Sequence, residues 1–328
     1  MKKELENILF INTGGGIGDA LSCLPTLNFI DNHLKPDNLY YFATDLGNFW
    51  FENKLKEYKP KNLITIKSFP DGFGYRIEHL KISKKLINQF EFNSFDLIID
   101  NQSRFINTLV YKRIPHKYYV SPCMNYLMCK PFVLMKKRKS LPIKIIDYFN
   151  KINKTNFELN YKIQIPKEFV DEANKLIPNN NYIGFSITAG HPFRKKEINI
   201  DEIIKVANYF SEKYIPAFFI EKKYDDIINK LKQNVNKAYF PEEQASDKLK
   251  KPMLVTALGA LTKFNITIDN GISHMLSFSE NKNFVFYNKS SIKFKPLNKK
   301  TVVYDCSLNN TTIDHLNSEK IIEIINKN

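Results

Sequence analysis

The chain has 328 residues, 43% hydrophobic and 25% charged, a balance that excludes a disordered or fibrous polymer. Four cysteines (Cys23, Cys123, Cys129, Cys306) form no Cys-x-x-Cys pair and are too sparse for a disulfide scaffold or a structural zinc, so free thiols in a reducing compartment are expected. A net charge of +15 favours an anionic partner, but a Lys-, Asn- and Ile-rich composition can follow from AT-rich coding, so where the charge lies weighs more than its sum.

At roughly 150 residues per domain, two domains are expected. No apolar run approaches the roughly 18 residues of a membrane span. Met1–Glu6 leads straight into a strand-like run without a signal-peptide core, so a cytoplasmic location is expected. Residues 7–13 form a short apolar run expected to be a buried parallel strand. Gly14-Gly15-Gly16-Ile17-Gly18-Asp19 follows as a turn. Ala20–Ile30 then places Leu21, Leu24, Leu27 and Ile30 at helical spacing, with Pro25 a bend or break. Further strands are expected at 39–42, 63–66 and 95–100, with a crossover helix at 80–90. Residues 161–166 read as an extended connection. After them the pattern starts again, with a strand at 182–187, a turn at 188–192, and helices at 201–214, 225–232 and 254–261. Strands at 217–220, 264–268 and 284–286 lie among and after these, and a closing helix capped by Ser318 occupies 318–325. Such alternation predicts an α/β protein of two Rossmann-like halves with a cleft between them, divided as 1–165 and 166–328.

The first glycine turn is not a dinucleotide fingerprint, because a G-x-G-x-x-G starting at Gly14 needs glycine where Asp19 stands. Tyr-x-x-x-Lys occurs at Tyr126/Lys130 and Tyr209/Lys213, as expected by chance in a chain so rich in both residues, and no Walker A sequence is present. What remains is an acid at the mouth of a glycine turn that opens a helix. Backbone amides and the helix dipole keep such a carboxylate ionised, so Asp19 reads either as a poised base or as a helix cap.

Three segments together resemble the heptosyltransferase-like glycosyltransferases, family nine of the sequence classification. Gly16-Ile17-Gly18-Asp19 with Leu24-Pro25 resembles the family's opening turn and helix. Ser186-Ile187-Thr188-Ala189-Gly190-His191-Pro192-Phe193-Arg194-Lys195-Lys196 resembles its donor-phosphate loop. Ile266-Thr267-Ile268-Asp269-Asn270-Gly271-Ile272-Ser273-His274 resembles its Asp-Thr-Gly-x-x-His, with Asn270 replacing the usual Thr or Ser. The glycine-acid segment that meets the donor ribose is not recognisable in Glu221–Asp225.

The resemblance implies a GT-B architecture, two facing Rossmann-like domains with the acceptor on the N-terminal half and the nucleotide sugar on the C-terminal half. It implies inverting transfer of a heptose-like sugar to a lipopolysaccharide-core or other surface-glycan acceptor, a phosphorylated glycolipid or oligosaccharide. Asp19 would be the catalytic base, with Gly16 and Gly18 in the acceptor turn. Thr188, Arg194, Lys195, Lys196 and the amides about Asn270 and Gly271 would meet the donor diphosphate, Asp269 would face sugar hydroxyls, and His274 would lie near the phosphates. The donor, ADP-heptose or another nucleotide-activated hexose used for capsule or other glycans, is a substrate, and no cofactor is expected. A catalytically inactive sugar- or nucleotide-binding protein of the same fold is the other alternative. No Asp-x-Asp occurs, so metal independence is expected.

Ten Lys and Arg between Lys112 and Lys151, Lys136-Lys137-Arg138-Lys139 among them, face one acid, Asp147, with Tyr118, Tyr119, Tyr126 and Phe132 interleaved. A solvated loop, contact with a phosphorylated glycolipid acceptor, or peripheral contact with the anionic inner face of the cytoplasmic membrane are the readings of that segment. No zinc knuckle, aromatic RNA-binding box or helix-turn-helix is recognisable, so a nucleic-acid partner is not expected.

Overall fold

The computed structural model describes residues 5–43, 50–66, 73–74, 76–101, 104–135, 141–158, 161, 163–188, 197–288 and 295–328. The chain divides into two compact units at Tyr161. The first contains β1 (Asn7–Ile11), α1 (Ile17–Phe29), β2 (Asn38–Phe42), β3 (Leu63–Ile66), α2 (His79–Lys85), β4 (Phe95–Asp100), α3 (Phe105–Tyr111), β5 (His116–Val120) and α4 (Leu141–Asn153). Its five strands are all parallel, in the order β3-β2-β1-β4-β5. β1 lies at the centre with Ile8, Leu9, Phe10 and Ile11 fully buried, which is why it reads as an unbroken apolar run rather than an alternating one.

The second unit contains α5 (Lys167–Leu176), β6 (Tyr182–Ser186), α6 (Ile200–Ser211), β7 (Ile215–Phe218), α7 (Asp225–Asn234), α8 (Pro241–Gln244), α9 (Pro252–Leu261), β8 (Asn265–Ile268), α10 (Gly271–Phe278), β9 (Asn283–Tyr287), β10 (Thr301–Asp305) and α11 (Ser318–Lys327). This sheet is also wholly parallel, ordered β10-β9-β8-β6-β7. The α/β class with two parallel sheets expected from the sequence is therefore present. The two strand orders differ: counted within its own unit, the first sheet runs 3-2-1-4-5 and the second 5-4-3-1-2. At Gly184 in β6, a Cβ would overlap the Asn265 amide oxygen and the Phe219 ring, so only glycine lets these strands pack here.

Three local expectations need correction. α1 starts at Ile17, with Gly16 as its N-cap, and runs through Pro25 without a break. Burial of Leu21, Leu24, Thr26 and Leu27 outweighs the one backbone hydrogen bond that proline removes. The cap of α11 is Asn317, whose side chain accepts the Lys320 N–H at 3.0 Å. Ser318 is the first helical residue, and its N–H donates to the Glu202 carboxylate at 2.6 Å, tying the closing helix to α6.

Candidate functional site

In the first sheet the chain builds outward from β1 in both directions, so β1 and β4 flank a topological switch point, the place where open parallel sheets bind ligands beyond their carboxyl ends. The turn from β1 to α1 lies there. Gly16 N–H donates to Asp19 Oδ2 at 3.0 Å, so the carboxylate closes the first turn of the helix from its third position. Asp19 is half-buried, and its Oδ1 has no hydrogen-bond partner among the described residues. A Cβ on Gly14 would stand 2.5 Å from the Asp19 Cβ, so glycine at 14 is what lets the turn fold over the acid. The helix-cap reading of Asp19 is thus present through one oxygen, while the other is unbonded among the described residues. Gly18 is the second residue of α1.

Beneath the turn lies a polar layer that sequence reasoning missed. Asn12 Nδ2 donates to the Asp19 carbonyl (3.3 Å) and to the Tyr41 hydroxyl (2.9 Å), and Asn12 Oδ1 accepts Gly14 N–H (3.4 Å). Asn101, just past β4, donates its N–H to Ile11 O at 2.9 Å and its amide to Cys23 Sγ at 3.1 Å. Cys23 in turn donates to the Asp19 carbonyl. Burial, then the Asp19 carboxylate, pushes the Cys23 thiol far above its usual pKa, which makes it a donor rather than a nucleophile. The only sequence signal for this layer was a pair of asparagines closing two apolar strands. Deeper still, Asp100 accepts from Thr108 Oγ1 (2.7 Å), Tyr119 Oη (3.0 Å) and Ser121 Oγ (3.0 Å), joining β4, α3 and the end of β5.

In the second sheet the switch point falls between β6 and β8. Asn270, the N-cap of α10, fastens it. Its Nδ2 donates to Ser186 Oγ and to Thr188 O, both at 3.0 Å, its Oδ1 accepts Ser273 N–H at 2.9 Å, and its own N–H donates to Ile268 O at 2.8 Å. The Asn270 side chain is thus fully occupied within the protein and acts as a rivet, and its own backbone amide is also engaged. The first-turn amides of Gly271 and Ile272 have no intrahelical acceptor and stand at the positive end of α10. Thr188, 7% exposed, lies at the same strand end, and Asp269 is half-buried next to it.

His274 is 7% exposed, and no hydrogen bond reaches its ring among the described residues. Burial lowers its pKa to about 4 against the opposing pull of Asp269, so the imidazole is neutral at physiological pH. Arg194, Lys195 and Lys196, and the run Lys136–Lys139, lie outside the described residues. Among the described residues there is no cluster of three His, Cys, Asp or Glu suited to a metal ion.

Beyond β7 a cavity of about 200 Å³ opens, with Phe218, Ile220, Ile228 and Phe240 as its apolar floor and Glu221, Glu242, Lys222 and Lys250 about it. Burial, and then the neighbouring Glu221, pushes the Glu242 carboxyl up to about 7. Glu221 is paired with Lys223 at 2.8 Å, and Lys250 with Asp247 at 2.7 Å. This cavity was not legible in Glu221–Asp225. β8, β6 and β7 are successive neighbours, so at about 4.8 Å per strand their carboxyl ends span roughly 10 Å, from the α10 amides to the cavity mouth.

No protein-family model matches the chain, and no curated protein matches its sequence. Solved structures do match. A glycosyl transferase family 9 protein from Veillonella parvula aligns over 100% of this chain and 98% of its own, with a TM-score of 0.70 at 14% identity. The E. coli heptosyltransferase WaaC with ADP-2-deoxy-2-fluoro heptose covers 98% of this chain and 99% of its own, at TM-score 0.65 and 13% identity. The E. coli ADP-heptose lipopolysaccharide heptosyltransferase II covers 98% of each chain, at TM-score 0.62 and 16% identity. The chain therefore has the GT-B fold of these glycosyltransferases along its whole length, and the resemblance drawn from three short segments holds at the level of fold.

Proposed function

We propose that this protein is an inverting, metal-independent glycosyltransferase that moves a heptose-like sugar from a nucleotide sugar bound by the second unit to a phosphorylated glycolipid or oligosaccharide bound by the first. The observation that carries this reading is positional. All three motif segments follow strands that flank a switch point, Asp19 after β1, Thr188 after β6 and Asp269–His274 after β8.

In the proposed reaction the open oxygen of Asp19 takes the proton of the acceptor hydroxyl as it attacks the anomeric carbon. The diphosphate leaves from the opposite face, and the configuration inverts. Charge developing on the diphosphate is met by the Gly271 and Ile272 amides and the Thr188 hydroxyl, with Arg194, Lys195 and Lys196 as the expected cations. Asn270 is a positioning residue, because it fixes where the α10 amides stand. The nucleoside extends past β7 into the cavity, where Glu221 and Glu242 are acceptors for ribose hydroxyls over an apolar floor.

The test is transfer from nucleotide sugars to a lipid-linked or oligosaccharide acceptor after chelation, with the product anomer read by NMR. The expected result is an inverted linkage formed at an undiminished rate in EDTA. A retained configuration, or a rate restored only by Mg²⁺ or Mn²⁺, contradicts the proposal.

A further inference from the structure

The basic segment 112–151 has no part in the reaction proposed above, yet its described part, with α3 just before it, carries a run of exposed apolar side chains. α3 leaves Phe105 (49% exposed), Ile106 and Leu109 in solvent while Asn107, Thr108, Val110 and Tyr111 are buried. The turn Cys123–Tyr126 packs against α3 and leaves Met124 exposed. Leu127, Phe132 (54%) and Leu134 (74%) follow in the same segment. Seven of the twelve large apolar side chains exposed among the described residues therefore fall between Phe105 and Leu134, which is clustering rather than the scatter of an ordinary surface.

The segment is pinned in this display. Met124, Asn125 and Tyr126 take φ of 48°, 55° and 74°, a conformation that side chains oppose. Asn125 Nδ2 donates to Met135 O at 3.0 Å, and Tyr119 and Lys130 exchange backbone hydrogen bonds at 2.8 and 3.0 Å. Tyr148 Oη and Lys151 Nζ, both from α4, donate to Pro131 O and Leu134 O at 2.6 Å. Along the chain, cations alternate with the apolar side chains. Arg113 and Lys130 are exposed with no ion pair among the described residues, and Lys112 is half-buried next to Arg113. From 112 to 151 the only acid in the sequence is Asp147.

We propose that this face of the first unit docks on an anionic lipid bilayer, with Phe105, Ile106, Leu127, Phe132 and Leu134 entering the interface and Lys112, Arg113 and Lys130 held at the headgroup phosphates. Protruding aliphatic and aromatic side chains with cations between them match the layering of a bilayer, hydrocarbon beneath phosphate. Since no helix among the described residues is long and apolar enough to cross a membrane, the contact made by this face is peripheral.

Co-sedimentation of the full chain with vesicles of phosphatidylcholine, or of phosphatidylcholine mixed with phosphatidylglycerol, tests this without donor or acceptor, so its outcome is independent of the transferase reading. The wild type should pellet with the anionic vesicles only, and less as salt is raised. Arg113→Ala and Lys130→Ala should each lower the partition coefficient about fivefold. Phe132→Ser with Leu134→Ser should abolish binding while leaving the thermal midpoint unchanged, because both side chains are exposed in the free protein. The proposal is overturned if the wild type ignores anionic vesicles, binds neutral ones equally, or keeps its partitioning in all these variants. It is equally overturned if the same double substitution instead dissociates a solution dimer that does not bind vesicles, since the face is then a self-interface.

Discussion

The turn after β1 and the turn after β8 stand at corresponding places, each leading from a strand beside its sheet's switch point into a helix, yet they are fastened in opposite ways. At the first, the fastening side chain is a carboxylate that caps α1 with one oxygen and leaves the other open. At the second, the fastening side chain is an amide whose donors and acceptor are all engaged, which leaves the backbone amides of α10 as the groups the proposed reaction calls on. In the proposed reaction one turn joins structural and chemical roles in a single residue. The other separates them, and substitutions should divide accordingly.

The largest effect is expected at Asp19. Asp19→Asn keeps an oxygen that can accept the Gly16 N–H but removes the charge, so transfer should fall 10² to 10⁴-fold, as typical for loss of a general base, with little change in melting temperature or nucleotide affinity. Asp19→Ala should lose the cap as well and be less stable by about 1 kcal/mol. Steady-state rates set against thermal melts separate the two roles, and a near-normal rate for Asp19→Asn would reduce this residue to a cap.

Gly14→Ala tests the same turn from the other side. The added methyl meets the Asp19 Cβ, and relieving that overlap should cost roughly 1–3 kcal/mol in stability and displace the carboxylate, seen as a lower denaturation midpoint and a lower rate.

At the second turn, Asn270→Ala breaks two bridges and a cap and leaves their partners unpaired. A loss of about 2 kcal/mol is expected, together with weaker nucleoside diphosphate binding by calorimetry. Asn270→Thr, which can restore the cap but reaches only one bridge, should fall between. If diphosphate affinity is unmoved by both, the α10 amides do not meet the donor.

At Glu242 the expected effect is read in stability against pH. Its folded pKa of about 7 lies above the ordinary 4.5, so the folded state holds this proton more tightly than the unfolded chain. Its contribution to stability is therefore full below pH 4.5 and is lost as pH rises through 7. Melting temperatures of the wild type should decline across that window more than those of Glu242→Gln; parallel curves would mean that the carboxyl is not held in its neutral form.

The strands that carry the switch points were legible because central parallel strands are covered on both faces and read as plain apolar runs, as in residues 7–11, 95–100 and 265–268. The edge strands β5 and β10 were missed. His116-Lys117-Tyr118-Tyr119-Val120 has the polar, half-buried character of an edge, and Thr301–Asp305 is buried only at its first residue. α4 was hidden in a lysine-rich segment although Leu141, Ile145, Ile146 and Phe149 bury one face of it. At the site, Asp19 and the Asp269–His274 segment carried sequence signals because glycine and acid spacing is local. The Asn270 bridges to Ser186 and Thr188 join residues more than 80 positions apart, and the cavity draws on β7, α7 and α8, so neither exists in any window of sequence.

In the proposed reaction the second unit binds a nucleotide sugar through its diphosphate while the first supplies the base. Calorimetric titration of the full chain with adenosine, uridine and guanosine diphosphates, their nucleosides and the corresponding nucleotide sugars, in EDTA, addresses it most directly. One diphosphate should bind far more tightly than its nucleoside, and Asp19→Asn should bind it equally well. Absence of binding by every nucleotide, or equal affinity for nucleoside and diphosphate, would contradict the account.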